Sequence, residues 1–227
     1  MKTTLIFDLD GTLLDTLEDL KDSTNYALQA FGFPTRTLDE VRAFVGNGLR
    51  MLIRRAVPAQ TDEATVDTVL TEMKRYYSKN YHNKTKPYVG IPEILQRFQE
   101  EGYPMAIVSN KADSVVSLLR ELYFDKLIPV AVGEMPGVAR KPAPDMVYEG
   151  MKRLGVGREN AVYIGDSEVD LQTARNAGLP CLSVTWGFRT EAQLIEAGAQ
   201  KLCHTPEELY EAVRALGEIP IDTTPSI

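Results

Sequence analysis

The chain has 227 residues, 44% hydrophobic and 25% charged, with 32 acidic against 25 basic side chains and a formal net charge of -7. That composition suits a globular protein with room for one ordinary domain and a smaller one. The acidic balance excludes a general nucleic-acid binder, which needs a basic face. No apolar run reaches bilayer-spanning length, and the run Leu5–Phe7 is cut by Asp8 too soon for a signal peptide. Cys181 and Cys203 give neither a disulfide framework nor a C-x-x-C metal pair, so a reducing cytoplasm is the expected setting.

The first expected strand is "TTLIF" at 3–7. It is apolar without alternation, as a strand buried on both faces of a parallel sheet would be. Helical spacing follows. Leu17, Leu20, Ala27, Leu28 and Phe31 mark one helix, and Glu18, Asp19 and Asp22 suit its first turns. Shorter helices are expected at 38–44 and 49–57, and Val66, Val69, Leu70, Met73, Tyr76 and Tyr77 mark a longer one. No strand pattern interrupts 16–87, so this interval reads as a helical cap domain inserted after the first strand, with crossings near 15 and 87.

From there strands and helices alternate. Helices are expected at 91–101, 112–122, 144–154, 168–177 and 205–216, and strands at 105–108, 161–164 and 182–184, with a weaker one at 128–132. The fold class is therefore α/β: a doubly wound, Rossmann-like parallel sheet core made of 1–15 and 88–216, carrying the cap. The tail at 217–227 has two prolines and no periodicity, and is expected to be loose.

Ligands of such sheets gather at the carboxyl ends of the strands. Every central strand here ends in a polar cluster. Asp8, Asp10, Gly11 and Thr12 follow the first; Ser109, Asn110 and Lys111 the second; Gly165, Asp166, Ser167, Glu168 and Asp170 the third, with Lys141 in the loop between. Residues two apart on an extended segment share a side, so Asp8 and Asp10 would converge, and a divalent cation would relieve their repulsion. Asp166 offers a third carboxylate, and Asp170 could supply or orient a fourth. An all-oxygen set favours a hard ion, Mg²⁺ before Zn²⁺. Thr12 and Ser109 could donate to phosphoryl oxygens, and Lys141 supplies fixed positive charge. Backbone N–H groups at Leu9 to Gly11 could form an anion-binding concavity. One carboxylate could act as nucleophile and the other as general acid and base.

Taken together, "DLDGT" at 8–12, Ser109-Asn110, Lys141 in "KPAP" and "GDSEVD" at 165–170 resemble the four ordered motifs of the haloacid dehalogenase superfamily of phosphatases. The resemblance covers nearly the whole chain, and four motifs in order are far more specific than any one. It implies that Asp8 is the nucleophile and Asp10 the general acid/base. Thr12, Ser109, Asn110 and Lys141 would hold the phosphoryl group. Asp8, the Asp10 carbonyl and Asp166 would hold Mg²⁺, with Asp170 in support. The segment "VGNGLRMLIRRA" is most similar to the phosphoglycolate phosphatase branch.

The expected substrate is a small phosphorylated metabolite, with no nucleic acid or membrane partner and a monomer or homodimer as the working unit. Gly46-Asn47-Gly48 is either a turn between helices or a loop that closes on substrate ahead of a helix carrying Arg50, Arg54 and Arg55. A phosphomutase or an inorganic pyrophosphatase of the same superfamily stays open. A phospho-acceptor signalling module fits poorly, because it lacks a helical insertion and pairs its acids adjacently.

Overall fold

The computed structural model describes residues 2–46, 48–157 and 160–217. Asn47 and the tail expected to be loose, from 218 on, lie outside the described residues.

Strand β1 (Thr4–Phe7) is buried along its whole length. Leu5 and Phe7 turn into a cluster with Ile94, Phe98 and Val213, while Ile6 turns to the other side, against Val147 and Met151. Two apolar layers, one per face, are why this strand reads as a continuous run.

A short β2 (Leu14–Asp15) leads into four helices: α1 (Leu17–Ala30), α2 (Leu38–Phe44), α3 (Leu49–Ala56) and α4 (Glu63–Asn80). Thr37 and Asp62 cap α2 and α4 by accepting backbone N–H bonds with their side chains. These helices bury their apolar stripes in a cluster of their own around Leu28, Ile53, Val66 and Met73. The chain returns through β3 (Lys86–Pro87), antiparallel to β2.

The alternating part follows as α5 (Ile91–Glu100), β4 (Met105–Ala112), α6 (Asp113–Phe124), β5 (Val130–Glu134), α7 (Asp145–Leu154) and β6 (Ala161–Gly165). It continues with α8 (Glu168–Ala177), β7 (Cys181–Val184), α9 (Glu191–Glu196), β8 (Leu202–Cys203) and α10 (Pro206–Gly217). Six parallel strands pair in the order β5-β4-β1-β6-β7-β8. The chain winds outward from β1 through β4 and β5, then crosses back to β6. That reversal opens the crevice at the carboxyl ends of β4, β1 and β6.

The structure differs from the sequence reading in several places. The β2–β3 ribbon was not expected, and it pairs Leu14 with Pro87 and Asp15 with Lys86, where the chain crosses to and from the helices. Two-residue strands leave no period to read. Strand β4 continues through Ala112, and its register against β5 shifts between Val108 and Ala112, so polar Ser109–Lys111 still sit on extended backbone. Strand β5 lies two residues later than expected, and α9 and β8 were not foreseen. Among the described residues no helix is long and apolar enough to cross a membrane.

Asp19 does more than begin a helix. Its buried carboxylate accepts from the backbone N–H of Lys84 (3.0 Å) and Thr85 (2.8 Å) and from the Thr85 hydroxyl (2.8 Å). It thus ties α1 to the returning strand. Asp19→Ala leaves three donors, two of them buried, without an acceptor and is expected to destabilise the fold by about 3 kcal/mol. The check is the urea midpoint; a change under about 0.5 kcal/mol, ordinary for a surface site, contradicts the role.

Candidate active site

The register aligns the polar ends. Phe7 lies opposite Ile107 on β4 and Ile164 on β6, so Asp8, Ser109 and Asp166 emerge side by side. Asp8, Asp166 and Asp170 each present a carboxylate oxygen within 4.8 Å of the others, and all three are buried. Gly11 makes this convergence possible. Its φ of +88° suits glycine, and a Cβ there would collide with the Asp166 carboxylate.

Each acid is held. The Thr12 hydroxyl donates to Asp166 Oδ1 (3.1 Å) and the Phe188 N–H to Oδ2 (2.7 Å). Asp170 Oδ2 accepts from the Ser167 hydroxyl (2.6 Å) and N–H (3.1 Å) at the start of α8. Lys141 Nζ sits between Asp8 Oδ1 (2.7 Å), Asp170 Oδ1 (2.9 Å) and the Tyr163 hydroxyl (3.0 Å). Asn110 grips the Lys141 backbone from both sides: its Nδ2 donates to the Lys141 carbonyl (2.9 Å), and its Oδ1 accepts the Lys141 N–H (2.8 Å).

Burial, then the charge of Asp170, pushes the Asp8 carboxyl well above the usual range. Burial pushes Asp166 up to about 7. Burial opposes the Lys141 ammonium, yet Asp170 and Asp8 outweigh it and hold its pKa well above the usual lysine range.

The sequence-expected residues do not all meet as anticipated. The Asp8 and Asp10 carboxylates take different partners: Asp10 Oδ1 pairs with Lys111 Nζ at 2.5 Å. The Thr12 hydroxyl is engaged with Asp166, and the Gly11 N–H donates to the Leu14 carbonyl (2.9 Å), so neither is presented to an anion. Arg50 does not line the cavity. It is exposed, and pairs with Glu63 (2.6 Å) and Asp67 (2.8 Å). Arg54 pairs with Glu63, and Arg55 donates to the Phe44 carbonyl.

A cavity of about 110 Å³ lies over the acids, with Ser109, Asn110, Lys111, Gly46 and Gly48 on its wall. The helical layer adds a mostly apolar roof: Leu20, Val45, Leu49 and Leu52. Phe188, next to the β7 end, is buried within the helices' own cluster. Arg189 extends this bridge: it pairs with Glu168 (2.7 Å) and donates to the Val45 carbonyl (2.7 Å) beyond α2.

The sequence profile of the haloacid dehalogenase-like hydrolases matches residues 5–184, a span that includes every one of these acids. The chain belongs to that family. It is 36% identical over 191 residues to a phosphoglycolate phosphatase of Pseudomonas syringae pv. tomato, covering 81% of this chain and 70% of that one. It is also 36% identical over 193 residues to the phosphoglycolate phosphatase of Rhodobacter capsulatus, covering 83% and 87%. The crystal structure of a provisionally named phosphoglycolate phosphatase from Lactobacillus delbrueckii subsp. bulgaricus superposes with a TM-score of 0.90 at 37% identity, covering 94% of this chain and 99% of that one.

In this haloacid dehalogenase-like hydrolase the acidic group could hold a metal ion. Among the described residues, Asp8, Asp10 and Asp170 pair with two ammonium groups, Lys111 and Lys141, and Arg189, the third cation on the cavity wall, is taken by Glu168, so with Asp166 the acids outnumber the available cations by two. The raised Asp8 and Asp166 carboxyls report the same deficit of positive charge. A divalent cation fits that donor set.

Lys111 stands in the polar cluster that the sequence places at this strand end, without a role there; two further participants carried no signal in the sequence. Tyr163 lies inside an apolar run, where nothing marks its hydroxyl as the partner of Lys141. Tyr77 read as helical packing, and it also lines the cavity; burial pushes its phenol up to about 12, so it keeps its proton at neutral pH.

Proposed function

We propose that the chain is a Mg²⁺-dependent phosphatase of small phosphate monoesters, with 2-phosphoglycolate as its substrate. The observation that carries this reading is the buried trio of Asp8, Asp166 and Asp170 beside Lys141, beneath a small cavity roofed by the helices. The names of the relatives agree with it. The cavity, about 110 Å³, is of the order of the ~150 Å³ space that takes up benzene. That size accommodates a two-carbon acid.

In this reading Asp8 attacks phosphorus, the bond to the ester oxygen breaks, and Asp10 gives that oxygen its proton, releasing glycolate. Asp10 then takes a proton from water, whose oxygen attacks the phosphoryl group on Asp8. The bond to Asp8 breaks, inorganic phosphate leaves, and the Asp8 carboxylate is restored. Lys141 and Ser109 hold phosphoryl oxygens through both steps, and Asn110 fixes the Lys141 backbone. Asp170 and Tyr163 aim the ammonium at Asp8. Asp8, the Asp10 carbonyl and Asp166 would hold Mg²⁺, with Asp170 in support. When bound, the ion supplies positive charge against the transferring phosphoryl group. The Phe188 and Arg189 contacts hold the helices over the cavity, and closure of that layer over a ligand would limit bulk water.

The test is product stoichiometry with Mg²⁺. The reading expects glycolate and inorganic phosphate in equal amounts over many turnovers. A single phosphoryl group retained per chain, without turnover, would instead identify a phospho-acceptor module.

A further inference from the structure

The cavity must neutralise a second charge if its ligand carries a carboxylate as well as a phosphate. Its roof is apolar, and Arg50, the cation the sequence placed there, points away to Glu63 and Asp67. Three other cations line it: Lys111, Lys141 and Arg189. Lys141 is held by Asp8, Asp170 and Tyr163, and the proposed reaction already assigns its charge to the phosphoryl group. Arg189 donates to Glu168 through Nε and Nη2, and to the Val45 and Arg42 carbonyls.

Lys111 differs. It directs one of its three donors at Asp10 and is itself nearly enclosed, with a side-chain exposure of 6%. Its Nζ stands 5.1 Å from the centre of the Tyr77 ring, which comes from α4 across the cavity. Among the described residues, the buried Tyr77 hydroxyl faces the Lys111 ammonium, which can only donate to it, and no acceptor meets the hydroxyl's own proton. A buried hydroxyl proton without an acceptor is uncommon and costly. A donor in that condition, on the wall of a cavity and beside an ammonium, is arranged for an anionic acceptor that arrives with the ligand.

We propose that Lys111 and Tyr77 form the subsite for the substrate's carboxylate, one group from β4 and the other from the helical layer. This rests on the reading of the substrate as a small phosphorylated acid and adds where its second charge is read. The Lys111 ammonium supplies the charge and the Tyr77 hydroxyl donates a hydrogen bond. Because the two come from opposite sides of the cavity, a ligand that meets both also holds the helices against the sheet. Selection for the acid and closure over it then become one event. Gly46 and Gly48 line the same cavity and contribute no side chain to it.

The test uses two non-hydrolysable ligands, phosphonoacetate and ethylphosphonate, which differ in the carboxylate. Their affinities are measured by calorimetry with Mg²⁺ in wild type, Tyr77→Phe and Lys111→Met, with a thermal melt to report folding. The ratio of kcat/KM for 2-phosphoglycolate to that for ethyl phosphate is measured alongside. Wild type is expected to favour phosphonoacetate, Tyr77→Phe to lose about ten-fold of that preference, as for one hydrogen bond to a charged group, and Lys111→Met to lose more. The kinetic loss for Tyr77→Phe should fall in KM rather than kcat. If wild type shows the preference and both folded variants keep it, the subsite is overturned while the substrate reading stands. If wild type turns over phosphate esters without favouring the carboxylate, both are overturned.

Discussion

Asp8→Asn is expected to lower kcat by about 10⁴-fold or more while the chain still folds, because the amide keeps the carboxylate's shape and loses its nucleophilic charge. The expectation comes from position. Asp8 leaves the central strand with its N–H bonded to the Ile164 carbonyl (2.9 Å), which fixes the backbone, and its Oδ1 against Lys141 (2.7 Å), which fixes the side chain. Among the cavity-lining carboxylates it touches the one ammonium that Asp170 and Tyr163 also hold in place. Folding should be retained, since the burial of a charged Asp8 is itself unfavourable in the chain alone. Steady-state turnover and a thermal melt together check this. Turnover within ten-fold of wild type would show that another group attacks phosphorus.

Removal of divalent ions is the second large effect, with a loss on the order of 10³-fold in kcat, equivalent to the several kcal/mol of charge stabilisation a bound ion supplies. Four carboxylates against two ammonium groups make the site short of positive charge. The same imbalance predicts a readout that needs no substrate. An ion that binds only the folded chain stabilises it by about 2.7 kcal/mol at one hundred times its dissociation constant, so Mg²⁺ should raise the melting temperature by several degrees. Asp166→Ala should erase that shift, since Asp166 is anchored by Thr12 and Phe188 with its carboxylate toward Asp8. Full activity after exhaustive chelation, or the same melting temperature with and without the ion, would contradict the assignment.

The parts of this protein that could be read from its sequence are those with a period or a motif. Continuous apolar runs gave the buried strands, because a residue such as Ile6 needs an apolar layer as much as Leu5 and Phe7 do. The polar ends of those runs gave Asp8, Ser109 and Asp166, since parallel register brings strand ends level. What stayed hidden depends on partners far along the chain. Arg50 was a reasonable cation for an anion site until α4 supplied Glu63 and Asp67 to pair with it. The Thr12 hydroxyl had a phosphate as its natural acceptor until the fold placed Asp166 closer. Arg189 and Phe188 carry no local signal at all, and their contacts with Val45 and the helical cluster exist only once two separate parts of the chain are packed together. Asp19 shows the same limit, as a helix-start acid by spacing and the anchor of a returning strand by structure.

The central claim is that this site hydrolyses a small phosphorylated acid. Its most direct test is kcat/KM, with Mg²⁺, for 2-phosphoglycolate beside ethyl phosphate, an aryl phosphate, a hexose phosphate and pyrophosphate. The account predicts that 2-phosphoglycolate exceeds each of the others by at least about 100-fold, the selectivity expected when a second charge is matched by a buried ammonium, worth about 2.7 kcal/mol. Equal or greater kcat/KM for the hexose phosphate or pyrophosphate would contradict it.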